Sequence, residues 1–152
     1  MRFVSFQLIF GGLSPRDSPP YNSRGMKFDF IDQVLEQSDD RIVTIKQINE
    51  DDGYLRDHFP TFPIMPGVLM LESMVQAASK LCSGDGQRLV LGEVKAIKYG
   101  AMVKPNDQLR VEITIVKTNE DGSFACKGIG AVLKNDSEET ETAVAGRFTI
   151  RP

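Results

Sequence analysis

Aliphatic residues alternate with polar ones between positions 108 and 117, and this is the most regular pattern in the chain. The aliphatic set consists of Leu109, Val111, Ile113 and Ile115. A period of two places such a set on one face of a β-strand and the polar residues on the other. The pattern therefore predicts a strand over residues 108–117 with one face in the core.

Runs rich in β-branched and aliphatic residues predict further strands. These runs cover residues 41–48, 88–98, 124–133 and 143–150. The pair Asp121-Gly122, between two predicted strands, is a β-hairpin signal. Residues 26–35 fit either a short helix or an edge strand, and their pattern alone does not choose between the two.

The segment 67–81, GVLMLESMVQAASKL, is apolar around almost its whole circumference. Pro66 precedes it, and proline at a first helical position is a helix start signal. The run 83–87, SGDGQ, ends it. A helix that is apolar all round belongs in the centre of a domain rather than on its surface. One central helix followed by antiparallel strands is an α+β plan.

The composition narrows the range of functions. A chain of 152 residues fits one domain, and its net charge of −3 argues against a nucleic-acid-binding protein. No stretch approaches the roughly 18 apolar residues of a membrane span. One histidine and two cysteines cannot supply an ordinary zinc site, so we expect no metal. Cys82 and Cys126 are expected to be buried, reduced thiols, which favours a reducing compartment.

Residues 1–25 differ in character from the rest of the chain. A short apolar stretch, MRFVSFQLIFGGL, is followed by SPRDSPPYNSRG, which is typical of a linker. The apolar stretch after Arg2 is a weak secretory-signal pattern, but Gln7 interrupts it and no small-x-small cleavage site follows. We therefore expect a cytoplasmic protein with a single domain over 26–152. Residues 1–25 would be a linker, a tag-like extension or the result of an early start assignment.

The stretch 58–76, HFPTFPIMPGVLMLESMVQ, carries the candidate chemistry. His58, the only histidine, lies in a loop punctuated by prolines, and Glu72 is a lone carboxylate in the apolar helix, with Gln76 one turn further on. A charge there is costly unless it is paired or neutralised by protonation. A histidine and a desolvated glutamate can act as a general acid–base pair. The first-turn N–H groups of Gly67 and Val68 could hold a developing oxyanion.

Each of these residues also has an ordinary structural interpretation. His58 could be a capping or hydrogen-bonded loop residue, and Glu72 could be a hydrogen-bonded structural group on the helix. Gly67 could simply allow close packing. The residues and their spacing point to acid–base chemistry, but by themselves they do not identify a reaction.

The pattern HFPxxPxMPGVLxxExxxQ, which begins at His58 and ends at Gln76, resembles the active-site motif of the FabZ-type 3-hydroxyacyl-[acyl-carrier-protein] dehydratases of the hotdog-fold superfamily. Two flanking segments are also similar. IDQVLE at 31–36 resembles the family's IDRVLE segment, and KPNDQL at 104–109 resembles its PGDQL turn. The resemblance covers residues 26–150.

The resemblance implies a hotdog fold, in which a long antiparallel sheet wraps around one central helix. It further implies a homodimer, or a trimer of such dimers, in which His58 of one chain faces Glu72 of its partner. The implied reaction is reversible dehydration of 3-hydroxyacyl thioesters, carried by acyl-carrier-protein or CoA, to trans-2-enoyl thioesters in fatty-acid or related acyl-chain biosynthesis. His58 would remove the α proton, Glu72 would protonate the leaving hydroxyl, and no cofactor is implied. The substrate-binding residues would be Gly67, Val68, Gln76 and Phe62.

The chain departs from the family pattern in two places. Thr61-Phe62 stands where the family often has Gly-His, and the stretch 23–30, SRGMKFDF, replaces an LPHRYPFL-like segment. Two other functions stay open: another hotdog acyl-thioester enzyme, such as a CoA-ester hydratase or a thioesterase, or a non-catalytic acyl-binding protein.

Two further groups of residues bear on substrate binding. The cationic group consists of Lys95, Lys98 and Lys104. It could dock an acidic carrier protein, or it could be a solvated strand face. The methionine group consists of Met65, Met70, Met74 and Met102. These side chains could line an acyl tunnel or fill the core.

Overall fold

The computed structural model describes residues 28–84 and 86–152, so the expectations for residues 1–25 lie outside the described part. Its elements are β1 (Gln33–Gln37), β2 (Arg41–Gln47), the helix α1 (Gly67–Cys82), β3 (Val90–Tyr99), β4 (Gln108–Thr118), β5 (Phe124–Leu133) and β6 (Thr140–Arg151). A single 3₁₀ turn, Gly53–Leu55, precedes the helix. All six strands form one antiparallel sheet in the order β1-β2-β4-β5-β6-β3.

The strand predictions are confirmed with small shifts at the ends. In β4 the alternation holds through Ile113, and beyond it Ile115 is only half-buried because a bulge between Ile115 and Lys117 interrupts the register. Among the described residues of the ambiguous stretch 26–35, residues 33–35 belong to the edge strand β1 and none is helical. Gly122 turns the β4–β5 hairpin with a φ of +83°, a left-handed conformation that glycine adopts without strain.

Helix α1 packs across β2, β4, β5 and β6, as its apolar sequence predicts. Its buried residues are Leu69, Met70, Ser73, Met74, Val75, Ala77 and Ala78. The helix approaches β5 closely because Gly128 has no side chain there: a Cβ atom at that position would lie 2.6 Å from Met74 Sδ. Pro66 is the N-cap rather than the first helical residue. No helix in the described residues is long and apolar enough to cross a bilayer.

Strand β3 lies at the edge of the sheet, where it pairs only with β6 among the described strands. It is irregular, with two register shifts and a positive φ at Ala96. Its side chains are mostly exposed, and the exposed set includes Val90 and Val94. An irregular edge strand that exposes valines is a surface suited to pairing with another chain.

Candidate active site

The only histidine is held by the backbone of its own loop. The Nδ1 atom of His58 lies 2.9 Å from the carbonyl oxygen of Ile64, and the Ile64 N–H donates back to the His58 carbonyl over 2.8 Å. A carbonyl can only accept, so Nδ1 carries a hydrogen, and in the neutral ring Nε2 is then the nitrogen with the lone pair. The neutral ring therefore presents Nε2 as a base.

The loop itself is anchored at both ends. His58 N–H donates to Leu55 O over 3.3 Å, and Met65 N–H donates to Val103 O over 2.8 Å. Leu55 and Met65 are both buried, so their side chains hold the loop against the core. Phe59 stacks on the His58 ring, with the two centroids 4.5 Å apart. These contacts set the position of the imidazole.

The start of helix α1 follows directly after this loop. Gly67 is the first helical residue, and the first backbone bond to Pro66 O comes from Leu69, so Gly67 and Val68 keep first-turn N–H groups without helical acceptors. The Val68 side chain is 61% exposed. A Cβ atom on Gly67 would lie 2.9 Å from Tyr99 Cε1, which means that the Tyr99 ring sits against this part of the helix.

Tyr99 is a site residue that sequence reasoning missed. It ends β3, its side chain is 52% exposed, and partial burial raises the pKa of its phenol. The contact with Gly67 joins residues that are 32 positions apart in the chain. No local pattern marks this tyrosine, because the contact depends on where the edge strand passes the helix.

Glu72 and Gln76 lie one helical turn apart, as predicted, and the Gln76 amide donates to Glu72 Oε1 over 3.1 Å. Both side chains are half-buried in the single chain. They line a cleft of about 420 Å³ whose other walls come from helix α1, from the start of β3 and from the two residues before that strand. The apolar residues of this cleft are Val75, Leu89, Val90 and Leu91. An acidic group thus stands at a partly apolar cleft.

Within one chain the two candidate acid–base residues are not bonded to each other. His58 bonds to Ile64 and Glu72 bonds to Gln76, and no hydrogen bond or ion pair joins His58 to Glu72 in the described residues. In the same residues no group of three or more His, Cys, Asp or Glu side chains could hold a metal ion. The two candidate residues therefore have different hydrogen-bond partners in the single chain.

The remaining candidate residues lie partly at the surface and partly in the core. Phe62 is 49% exposed, and the Lys104 ammonium lies 5.0 Å from the centre of its ring, in the range of a cation–π contact. Lys95 is exposed on β3 and pairs with Glu93, while Lys98 is also exposed there. In the methionine group, Met65, Met70 and Met74 belong to the core, whereas Met102 is exposed.

Comparison with protein families gives one match across most of the domain. A family model described as ApeI-like, ApeI dehydratase, matches residues 34–137. The 3-hydroxyacyl-[acyl-carrier-protein] dehydratase FabZ of Streptococcus pyogenes serotype M5 is 36% identical over 125 residues, which cover 79% of this chain and 84% of that protein. The enzyme of the same name from Streptococcus pneumoniae strain CGSP14 is 33% identical over 114 residues, or 65% of this chain and 81% of that one.

Solved structures agree on the fold. The dehydratase heterocomplex ApeI:P from Xenorhabdus doucetiae has a TM-score of 0.60 at 15% identity and covers 81% of this chain and 97% of its own. The smu.793 protein of Streptococcus mutans UA159, bound to acetyl-CoA, also has a TM-score of 0.60, at 12% identity, over 78% of this chain and 85% of its own. The hotdog fold predicted from the sequence is thereby confirmed.

Proposed function

Because the chain belongs to the ApeI-like dehydratase family, we propose that it removes water from 3-hydroxyacyl thioesters and forms trans-2-enoyl thioesters. The observation that carries this proposal is the His58–Ile64 contact, which leaves Nε2 of a loop-held imidazole as a base. This base lies nine positions before Gly67, the first residue of helix α1.

The reaction follows from the chemistry of three groups. The first-turn N–H of Gly67 binds the thioester oxygen and stabilises the negative charge that develops there. His58 Nε2 takes the proton from the α carbon, the α–β double bond forms, and the bond from the β carbon to the hydroxyl oxygen breaks. The leaving hydroxyl takes the proton of the Glu72 carboxyl and departs as water. In the return step His58 gives up its proton and Glu72 regains one, and the whole sequence is reversible.

A second copy of the chain completes this site in our proposal. In the described sheet one edge of β3 is unpaired, and the strand itself exposes Val90 and Val94. Both features support pairing of two copies along this strand. Such a dimer brings Glu72 of the partner to His58 and covers the cleft beside Glu72. His58 and Glu72 are not bonded to each other within one chain, which agrees with a site that two chains share.

We assign acyl-carrier-protein as the carrier of the substrate, in acyl-chain biosynthesis in the cytoplasm. The relatives of 33–36% identity are named for that carrier, and they match 65–79% of this chain. Lys104, exposed beside Phe62 near the His58 loop, is a cation suited to an acidic carrier. The free thiols of Cys82 and Cys126 agree with a reducing compartment.

The test is to incubate the purified protein with a 3-hydroxyacyl thioester on acyl-carrier-protein and, separately, on CoA. An enoyl product from the carrier-bound substrate, absent with Glu72→Gln, supports the proposal. Release of free thiol instead would indicate a thioesterase, and neither product would indicate a binding protein. Sedimentation at micromolar concentration measures the assembly, and an active monomer would rule out the shared site.

A further inference from the structure

The side-chain amide of Gln76 joins helix α1 to the segment that leads into β1. Its Oε1 accepts the backbone N–H of Phe30 over 2.9 Å. Its Nε2 donates to the backbone carbonyl of Phe28 over 2.7 Å and to Glu72 Oε1 over 3.1 Å. Both hydrogens of the amide nitrogen and one lone pair of its oxygen are therefore used by groups of the same chain.

The two backbone contacts fix which way the amide points. The Phe30 N–H can only donate and the Phe28 carbonyl can only accept, so the oxygen of Gln76 must face Phe30 and its nitrogen must face Phe28. The nitrogen's second hydrogen then faces Glu72. Glu72 Oε1 is thus the oxygen that accepts from Gln76, and Oε2 lies outside this contact.

The segment that orients Gln76 is itself held in place. Phe30 is 2% exposed, and its ring centre lies 6.1 Å from that of Tyr54. Just beyond it, Asp32 accepts the backbone N–H of Gln47 over 2.7 Å and forms an ion pair with Lys46 at 2.9 Å. The backbone at Phe30 is therefore held against the core beside helix α1.

We propose that Gln76 is a positioning residue that holds the Glu72 carboxyl with Oε1 as acceptor and Oε2 as proton donor, using the backbone of residues 28–30 as its support. This inference rests on the proposed dehydratase function, since it concerns the acid of that reaction. It gives Gln76 a role other than contact with substrate. A general acid must meet the leaving oxygen in a narrow geometry, so loss of its orientation slows the chemical step more than binding.

Gln76→Leu removes both donors and the acceptor of the amide without placing a second carboxyl group beside Glu72. We expect kcat to fall by about 10- to 100-fold with KM close to that of the wild type. Hydrogen exchange at the Phe30 amide should become fast in Gln76→Leu, which lacks the acceptor. Lys80→Ala, on the exposed side of the same helix, is the control and should change none of these values.

Combination with Glu72→Gln separates positioning from general stability. If Gln76 acts through Glu72, then Gln76→Leu should lower kcat in the wild-type background and leave the residual rate of Glu72→Gln unchanged. An equal loss in both backgrounds, or a wild-type kcat for Gln76→Leu, would overturn the inference. A wild-type rate for Glu72→Gln itself would instead overturn the proposed function, because the acid would then be elsewhere.

Discussion

His58 and Ile64 bond to each other twice, through the imidazole Nδ1 and the Ile64 carbonyl at 2.9 Å and through the Ile64 N–H and the His58 carbonyl at 2.8 Å. The seven-residue segment 58–64 is thus closed on itself around the proposed base. The ring cannot turn its Nε2 away without losing the contact that fixes its tautomer. The candidate base is therefore already oriented in the single chain, whereas its acid is proposed to come from another copy.

The first prediction concerns the acid–base pair across two chains. His58→Ala and Glu72→Gln should each lower turnover by about 10²–10⁴-fold while the thermal midpoint stays near that of the wild type. Mixing the two variants should restore part of the activity, because a heterodimer contains one site with both groups intact. The measurement is activity after subunit exchange, with exchange itself followed by a fluorescent label. Exchange without recovery would contradict the shared site.

The second prediction concerns Gly67 and its neighbour Tyr99. Gly67→Ala should lower activity strongly, because the new Cβ lies in the first helical turn beside the N–H proposed to bind the thioester oxygen, 2.9 Å from the Tyr99 ring. Tyr99 is half exposed and can move aside, so the thermal midpoint should change little. The double variant Gly67→Ala/Tyr99→Ala relieves the ring contact and should remain slow. Recovery of activity in it would assign the loss to the ring and not to the oxyanion site.

The third prediction concerns the two cysteines. The neighbouring Cys82 thiol and burial raise the pKa of Cys126, which is 1% exposed, whereas Cys82 is only half-buried. The thiolate is the reactive form, so iodoacetamide at neutral pH should modify Cys82 first. Peptide mass spectrometry measures the site, and in denaturant both residues should react. Preferential labelling of Cys126 in the native protein would contradict this order.

The fourth prediction concerns an ion pair between β2 and β4. Arg41 donates from Nε and Nη2 to the two oxygens of Glu112, at 3.1 and 3.0 Å, and this hydrogen bonding lowers the pKa of Glu112. Because the pKa is lower in the folded state, the stabilisation is present above pH about 4.3 and disappears as the pH falls through the folded-state value. Glu112→Gln should cost about 0.5–1 kcal/mol at neutral pH, a small value because the pair is partly exposed.

Urea denaturation at neutral pH and at low pH measures that difference. Glu93→Gln, which removes the more exposed pair with Lys95, serves as the matched control and should have little effect at either pH. A destabilisation by Glu112→Gln that is equally large in acid would show that the side chain acts through packing rather than through its charge.

The fifth prediction concerns the N-terminal boundary of the domain. A chain that starts at Met26 should fold and keep its activity, because it retains the Phe28–Phe30 segment that bonds to Gln76. A chain that starts at Ile31 lacks Phe30, a buried core residue, and should be less stable and slower. Circular dichroism and turnover measure both effects. Loss of folding in the longer chain would mean that residues 1–25 belong to the domain.

Local patterns in the sequence were enough for most of the secondary structure. The strand at 108–117 follows from a period of two, the hairpin at Asp121-Gly122 from a residue that accepts positive φ, and the central helix from its apolar circumference. The sequence also placed His58, Gly67 and Glu72 within one motif. These features depend on residues close together in the chain, and local chemistry decides them.

The tertiary structure alone decided how these residues are held. Gln76 meets Phe30 and Phe28 across 46 and 48 positions of the chain, and Tyr99 meets Gly67 because the edge strand passes the start of the helix. The half-buried state of Glu72 likewise depends on which strands lie beside the helix. Such contacts arise from the packing of distant segments, and no periodicity or spacing within one segment determines which distant backbone groups a side chain will reach.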